Sequence, residues 1–243
     1  MESNVKEGHI IMSENNFEFE ALNAAYYYPR AIVKEFAPYF NGKVVEVGSG
    51  IGQLARFFVE KTGEDNFTAI EPDAHFVRQF KNLHPHLKMI EGDAFTVDAD
   101  YNCDTIVSVN VLEHIEHDVR ELSRYRDLLE KNNGYLCILT PARPEIYSPI
   151  DKDFGHFRRY TIETLHDRLI KSDFEVEKIF YFNFTGYFAW WLNFKVLKNR
   201  SFNLGKVTFF DRYIFRISHF LESKLMRPPI GQSVVAIARS RKV

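Results

Sequence analysis

The chain has 243 residues, 45% of them apolar and 26% charged, with a formal net charge of −2. That length fits one domain with an elaboration, and the near-neutral charge gives no global reason to expect a nucleic-acid partner. No stretch reaches the ~20 apolar residues that span a bilayer, and the first residues lack the basic-then-apolar profile of a secretory leader.

In chain order, residues 1–20 read as a polar, partly ordered leader and 21–40 as helical, with Pro29 opening a new segment. Strand one is expected at 43–47 with a helix at 52–62, and strand two at 67–71 with a helix at 73–83. Strand three follows at 87–90 and strand four at 104–110, and a helix at 117–131 ends on Asn132-Asn133-Gly134. Strand five covers 134–140, a helix 161–172, strand six 174–183 and strand seven 233–239. The alternation predicts a mostly parallel sheet with helices on both faces. The last strand has no crossover helix and is expected to insert antiparallel at the edge. Cys103 and Cys137 fall at or in core strands and read as reduced, buried thiols of a cytoplasmic protein.

Strand one runs into Val45-Glu46-Val47-Gly48-Ser49-Gly50-Ile51-Gly52, and strand two ends in Glu71-Pro72-Asp73. Glycines let backbone N–H groups approach a ligand, and an acid about 20 residues on can hydrogen-bond ribose hydroxyls. A dinucleotide fingerprint needs G-x-G-x-x-G. Here the third glycine comes one position early and Gln53 stands in its place. Glu46 would repel a pyrophosphate but suits an ammonium, which excludes NAD(P). The E-x-G-x-G-x-G pattern closely resembles that of class I S-adenosylmethionine-dependent methyltransferases, over roughly 40–183 and 231–241.

The resemblance implies a Rossmann-like α/β fold with a seven-stranded, mostly parallel sheet and S-adenosylmethionine as cofactor. It assigns Glu46 to the methionine ammonium and Gly48, Ser49, Gly50, Gly52 and Gln53 to the turn beneath the methionine moiety. Glu71, with Pro72, takes the ribose hydroxyls; Asp93, Ala94 and Phe95 face the adenine; Asn110 lies near the methionine half. Among Tyr26, Tyr27 and Tyr28, in a lid segment over 1–40, Tyr28 is the candidate for contact with the cofactor.

Methyl transfer to a hydroxyl profits from a general base. The candidates are His114, directly after strand four, and His156, in the loop Phe154-Gly155-His156-Phe157-Arg158-Arg159-Tyr160-Thr161. Arg158, Arg159 and Tyr160 could clamp an anionic acceptor; alternatively, one arginine pairs with Asp151 or Asp153 and the aromatic residues pin the loop. Ubiquinone-pathway O-methyltransferases carry a metal-associated Glu-x-x-Glu-His here, but Asn110 replaces the first Glu, so no metal is expected. The loop resembles a bacterial subgroup of these methyltransferases often linked to glycosyltransferases.

The core is thus expected over 41–183 and 231–241 of a single domain, with 185–229 inserted before the last strand. That insertion carries eight basic residues against Asp211 and Glu222, a charge of +6 against −8 elsewhere. Val207, Phe210, Ile214, Ile217, Leu221 and Leu225 form a helical stripe. It reads either as a cap or dimer interface, or as a face lying on an anionic membrane, at the inner membrane surface. The expected reaction is O-methylation of a glycan or lipid-linked sugar. Alternatives are a small quinone-like, phenolic or amine acceptor, which a buried apolar pocket without an anion clamp would favour, and a catalytically silent cofactor-binding scaffold.

Overall fold

The computed structural model describes residues 24–98, 101–199, 203–224 and 227–241. The expected leader, the start of the 21–40 segment, and Arg200, Phe202 and Leu225 of the insertion lie outside these residues.

Seven strands form one sheet: β1 (Val44–Val47), β2 (Phe67–Glu71), β3 (Lys88–Glu91), β4 (Thr105–Val109), β5 (Tyr135–Pro141), β6 (Phe174–Phe182) and β7 (Ser233–Ser240). Their order is β3-β2-β1-β4-β5-β7-β6. β1 to β5 pair in parallel, and β7 pairs antiparallel with both neighbours. The last strand is therefore antiparallel as expected, but it is interior rather than at the edge. Composition explains the correction. β7 is apolar on both faces and buried almost throughout, as an interior strand must be. β6 exposes Glu175, Glu177 and Lys178 and carries an irregularity between Val176 and Lys178, which suits an edge.

Around the sheet lie α1 (Tyr27–Phe36), α2 (Ala55–Thr62), α3 (Ala74–Leu83), α4 (Asp118–Leu129), α5 (Pro149–Asp153) and α6 (Ile162–Lys171). Strand alternation splits the core in two. Val45, Ile106 and Leu136 pack with Leu122 and Tyr125 of α4 and Leu165 of α6. Val44, Val107 and Cys137 face the other way, onto Ile32 and Phe36 of α1 and Phe57 and Phe58 of α2. Each fully buried large side chain contributes roughly 1.5–3 kcal/mol. Cys103 and Cys137 are buried free thiols whose pKa burial raises.

Pro29 falls in the first turn of α1, two residues after its start, where a missing N–H costs nothing. The expected helix at 52–62 begins only at Ala55, because the glycine turn extends to Leu54.

The insertion folds as α7 (Phe184–Trp190), a π-helical turn (Trp191–Val196), α8 (Leu204–Phe209), a second π turn (Phe210–Phe215) and α9 (Arg216–Lys224). The second π turn breaks the expected stripe. An i→i+5 turn adds one residue to a helical repeat and rotates everything after it. Val207 and Phe210 stay half-buried, whereas Ile217 and Leu221 are turned outward and Phe215 and Glu222 take the inner face.

Candidate active site

The carboxyl ends of β1, β2 and β4 converge on one edge of the sheet, with the glycine turn between them. Gly48 and Gly50 have φ of 70° and 55°, and a Cβ on Gly48 would run into the Val111 side chain. The N–H groups of Gly48 and Ser49 donate to the Ile70 carbonyl at 2.9 and 3.1 Å, which pins the turn to β2. Gly50 N–H donates to Glu71 Oε2 at 2.8 Å, and Asp73 N–H to Glu71 Oε1 at 3.0 Å. The Glu71 carboxylate is thereby fixed by one amide from each loop.

Glu46 is buried, and its Oε2 has no hydrogen-bond partner among the described residues. Burial, and secondarily the Glu71 carboxylate, push its pKa up to about 8. An unpartnered oxygen on a buried acid fits a ligand that brings a cationic N–H donor. Burial also raises the pKa of Glu71 despite its two amide donors.

These groups line a cleft of about 760 Å³, which also collects Ser49, Gln53, Pro72, Asp93, Phe95, Asn110 and His114. Asp93 Oδ1 accepts from the N–H groups of Phe95 and Thr96 at 2.9 and 3.0 Å, which orients the carboxylate beside the exposed Phe95 ring. Arg120 lies 4.8 Å over that ring. Three expected cofactor residues do not line the cleft. Gly52 closes the turn by donating to Ser49 O and packs towards His84 and Phe80. Ala94 is fully buried in the α4-side core. Tyr28 packs against Phe182 and Phe215 and lines a second cavity.

Phe76, Val111, Ile115, His117, Arg120, Glu121 and Phe157 join the cleft without having been foreseen. Several follow β4 directly, so the rule that ligands bind beyond strand carboxyl ends could have found them. Glu121 has its pKa raised to about 7, chiefly by burial.

The second cavity, of about 410 Å³, is lined by the start of α1, α7, the α8 region and the residues that follow β6 and precede β7. Its walls are aromatic (Tyr28, Trp190, Phe194, Phe210, Phe215) and rich in carboxamides (Asn183, Asn193, Asn203, Gln232). Asn110 lines both spaces, in the left-handed conformation at φ 53°.

The histidines come together, but unequally. His114 lines the cleft; His156 is buried behind it, with the ring centroids 4.6 Å apart and edge-on. His156 Nδ1 lies 3.2 Å from Asp151 Oδ1. Glu113 is buried and accepts from Thr140 Oγ1 at 2.9 Å. Ligand atoms of Glu113, His114 and His156 fall within 4.8 Å of one another, a metal-capable group in which His156 joins the Glu-His pair that remains of the metal-associated pattern.

The loop residues expected to clamp an acceptor are used internally. Arg159 is buried and pairs with Asp151 at 2.7 Å, donates to Ala142 O at 3.1 Å and stacks on Trp190. Burial would raise the Asp151 pKa, but His156 and Arg159 overcome it and hold the carboxyl below its usual range. Tyr160 donates to Asp118 Oδ2 at 2.9 Å and is buried. Arg158 pairs with the same carboxylate at 2.7 Å and donates to Glu116 O. The cause is local: α5 and the 154–160 loop bury Asp151, which demands a paired cation.

A family model described as a methyltransferase domain matches residues 22–179. Curated relatives include a ribosomal RNA small subunit methyltransferase A of Chlorobium chlorochromatii, 32% identical over 46% of this chain and 44% of that protein. The same enzyme of Variovorax paradoxus is 38% identical over 28% and 26%. The chain thus spans less than half the length of these relatives. An S-adenosylmethionine-dependent methyltransferase of Thermotoga maritima superposes with a TM-score of 0.64 at 16% identity, covering 96% of this chain and 99% of that one. One from Mesorhizobium loti gives 0.58 at 15% identity, covering 90% and 99%. At such identity these two show the fold alone. The matched domain, the sheet order and a cleft whose orphaned Glu46 and amide-held Glu71 fit an ammonium and a ribose converge, and the chain belongs to the S-adenosylmethionine-dependent methyltransferases.

Proposed function

We propose that the enzyme O-methylates a glycan or lipid-linked sugar intermediate that enters the 410 Å³ cavity and meets the cofactor at Asn110. The observation that carries this reading is the mixture of aromatic and carboxamide walls in a space sharing Asn110 with the cofactor cleft. Aromatic faces suit the C–H surfaces of a sugar ring and carboxamides its hydroxyls. Bound S-adenosylmethionine supplies an electrophilic methyl on a sulfonium. Glu46 orients the ammonium, Glu71 the ribose and Asp93 the adenine. His114 takes the proton from the acceptor hydroxyl, and His156, braced by Asp151, positions the His114 ring. The insertion holds the protein peripherally at the membrane that carries such an acceptor.

A small phenolic or quinone-like acceptor is the second reading. It is favoured by the mainly apolar walls and by the arginines of the 154–160 loop being engaged internally. The purified enzyme with methyl-labelled cofactor, offered lipid-linked sugars, free glycosides and phenols, separates the two. Label on a sugar hydroxyl supports the first; label on phenols alone replaces it with the second.

A further inference from the structure

No helix among the described residues is long and apolar enough to cross a membrane. The insertion nevertheless exposes an unusual amount of apolar surface. Of 17 exposed large hydrophobic side chains among the described residues, 12 lie between Phe188 and Leu221; a concentration on that scale marks an interaction surface.

On the α8–π–α9 rod, Phe209, Tyr213, Ile217 and Phe220 are all more than half exposed. Ile217 is 62% and Phe220 61% exposed. The inner face holds Asp211, Phe215 and Glu222, all buried. Both acids are consumed as backbone caps. Asp211 accepts the N–H groups of Tyr26, Tyr27 and Tyr28, and Glu222 accepts that of Phe184 at 3.0 Å. Every exposed charged residue on the rod is therefore basic: Lys206, Arg212, Arg216 and Lys224. The partner helix repeats the pattern, with Phe188, Trp191 and Leu192 exposed, Lys195 and Lys198 beside them and no acid between 184 and 199.

A second copy of this face would set like charges against each other. An anionic lipid surface would not, and it accepts aromatic and aliphatic side chains at its acyl boundary. We infer that the outer face of α7 to α9 is a docking surface for anionic phospholipid bilayers. Phe209 and Ile214 are exposed and also line the acceptor cavity. Docking therefore brings the cavity mouth to the bilayer, where an amphipathic acceptor can pass from lipid into protein. This deepens the peripheral contact proposed above and rests on it, but it does not depend on the acceptor being a sugar.

The test is sedimentation of the full chain with vesicles of equal parts phosphatidylglycerol and phosphatidylcholine, against phosphatidylcholine alone. The first should carry the protein down, less so with added salt, and the second should not. Arg212→Glu with Lys224→Glu should weaken partitioning by roughly fivefold or more per site. Ile217→Ser with Phe220→Ser should weaken it at least as much, with thermal melting and S-adenosylhomocysteine binding as folding controls. Equal or absent binding to the two vesicles, or binding that both double variants retain, would overturn the proposal. So would a stable dimer that the Ile217→Ser, Phe220→Ser variant abolishes, since that assigns the face to self-association. A protein that ignores vesicles yet methylates a lipid-linked sugar in detergent would overturn this surface and leave the acceptor reading standing.

Discussion

Asp211, deep in the insertion, caps the helix that begins at Tyr27 by accepting the backbone N–H of Tyr28, 183 residues earlier, at 2.8 Å. Its other oxygen takes the amides of Tyr26 and Tyr27 at 2.7 and 2.9 Å. Three amides at the start of α1, which has no side-chain cap of its own, are thus satisfied from the insertion. Asp211→Ala should cost about 2–3 kcal/mol of stability, the sum of a lost cap and lost charged hydrogen bonds. Cofactor affinity should hold, because Asp211 lines the second cavity and not the cofactor cleft. Denaturant unfolding and calorimetry measure the two separately, and a stability unchanged within error would show that α1 does not need this cap.

Glu46 gives the apo protein a pH dependence of definite sign. Its folded pKa, about 8, lies above the 4.5 of an ordinary glutamate. The stabilising contribution of its bound proton is complete below 4.5 and is lost as pH rises towards 8. Glu71 and Glu121 are shifted the same way, so apo stability should fall between pH 5 and 8 by a few kcal/mol. The cofactor reverses this, because its ammonium favours ionised Glu46. Binding at pH 7 should release protons and tighten as pH rises to 8. Titration calorimetry in buffers of different ionisation enthalpy reads the release directly; proton uptake would refute the assignment of Glu46 to a cation.

Glu71→Gln should weaken S-adenosylmethionine and free adenosine by the same factor, roughly tenfold or more, since a hydrogen bond to a charged group contributes ~1.5–3 kcal/mol. Both ligands share the ribose, and neither the methionine nor the methyl enters the comparison. A loss confined to S-adenosylmethionine would move Glu71 away from the ribose.

Arg159 is expected to behave as a structural cation. Removing it leaves Asp151 buried and short of a partner, which costs about 3–5 kcal/mol. Arg159→Met should therefore lower the melting temperature strongly, while Arg158→Met, on a partly exposed guanidinium, should lower it little. If Arg159→Met melts like wild type and loses only acceptor affinity, the residue binds substrate after all.

Much of this molecule is visible in its sequence because local chemistry and global fold agree there. The glycine turn after β1 needs positive φ at Gly48 and Gly50, and the acid ending β2 is where a parallel pair puts it, so motif and geometry coincide. What stayed hidden depends on burial and on tertiary partners. The choice for Arg159 between an acceptor clamp and a pair with Asp151 stayed open because nothing in G-H-F-R-R-Y-T shows that Asp151 will be buried against it. The packing of Tyr28 against Phe182 and Phe215 was hidden because both are remote in sequence. The insertion stripe failed for a different reason: a π turn at Phe210–Phe215 changes the phase of a pattern read at constant period.

The structure places His114 and His156 differently with respect to a role that the sequence left open between them. Only His114 lines the cofactor cleft; His156 reaches it through the 4.6 Å ring contact and is held by Asp151. If His114 is the base, His114→Ala should lose about 10²–10⁴ in kcat with cofactor affinity intact. His156→Ala should lose less and shift the pH profile of the remaining activity, because the base survives in an altered environment. Glu113 gives the pair a competing use, since its carboxylate and both rings could hold a divalent metal. A metal role predicts a different pattern: both histidine variants and Glu113→Gln would fall together, chelator would abolish wild-type turnover, and metal analysis of the purified protein would find stoichiometric ion. Proton abstraction by His114 alone predicts chelator-resistant turnover and unequal histidine variants.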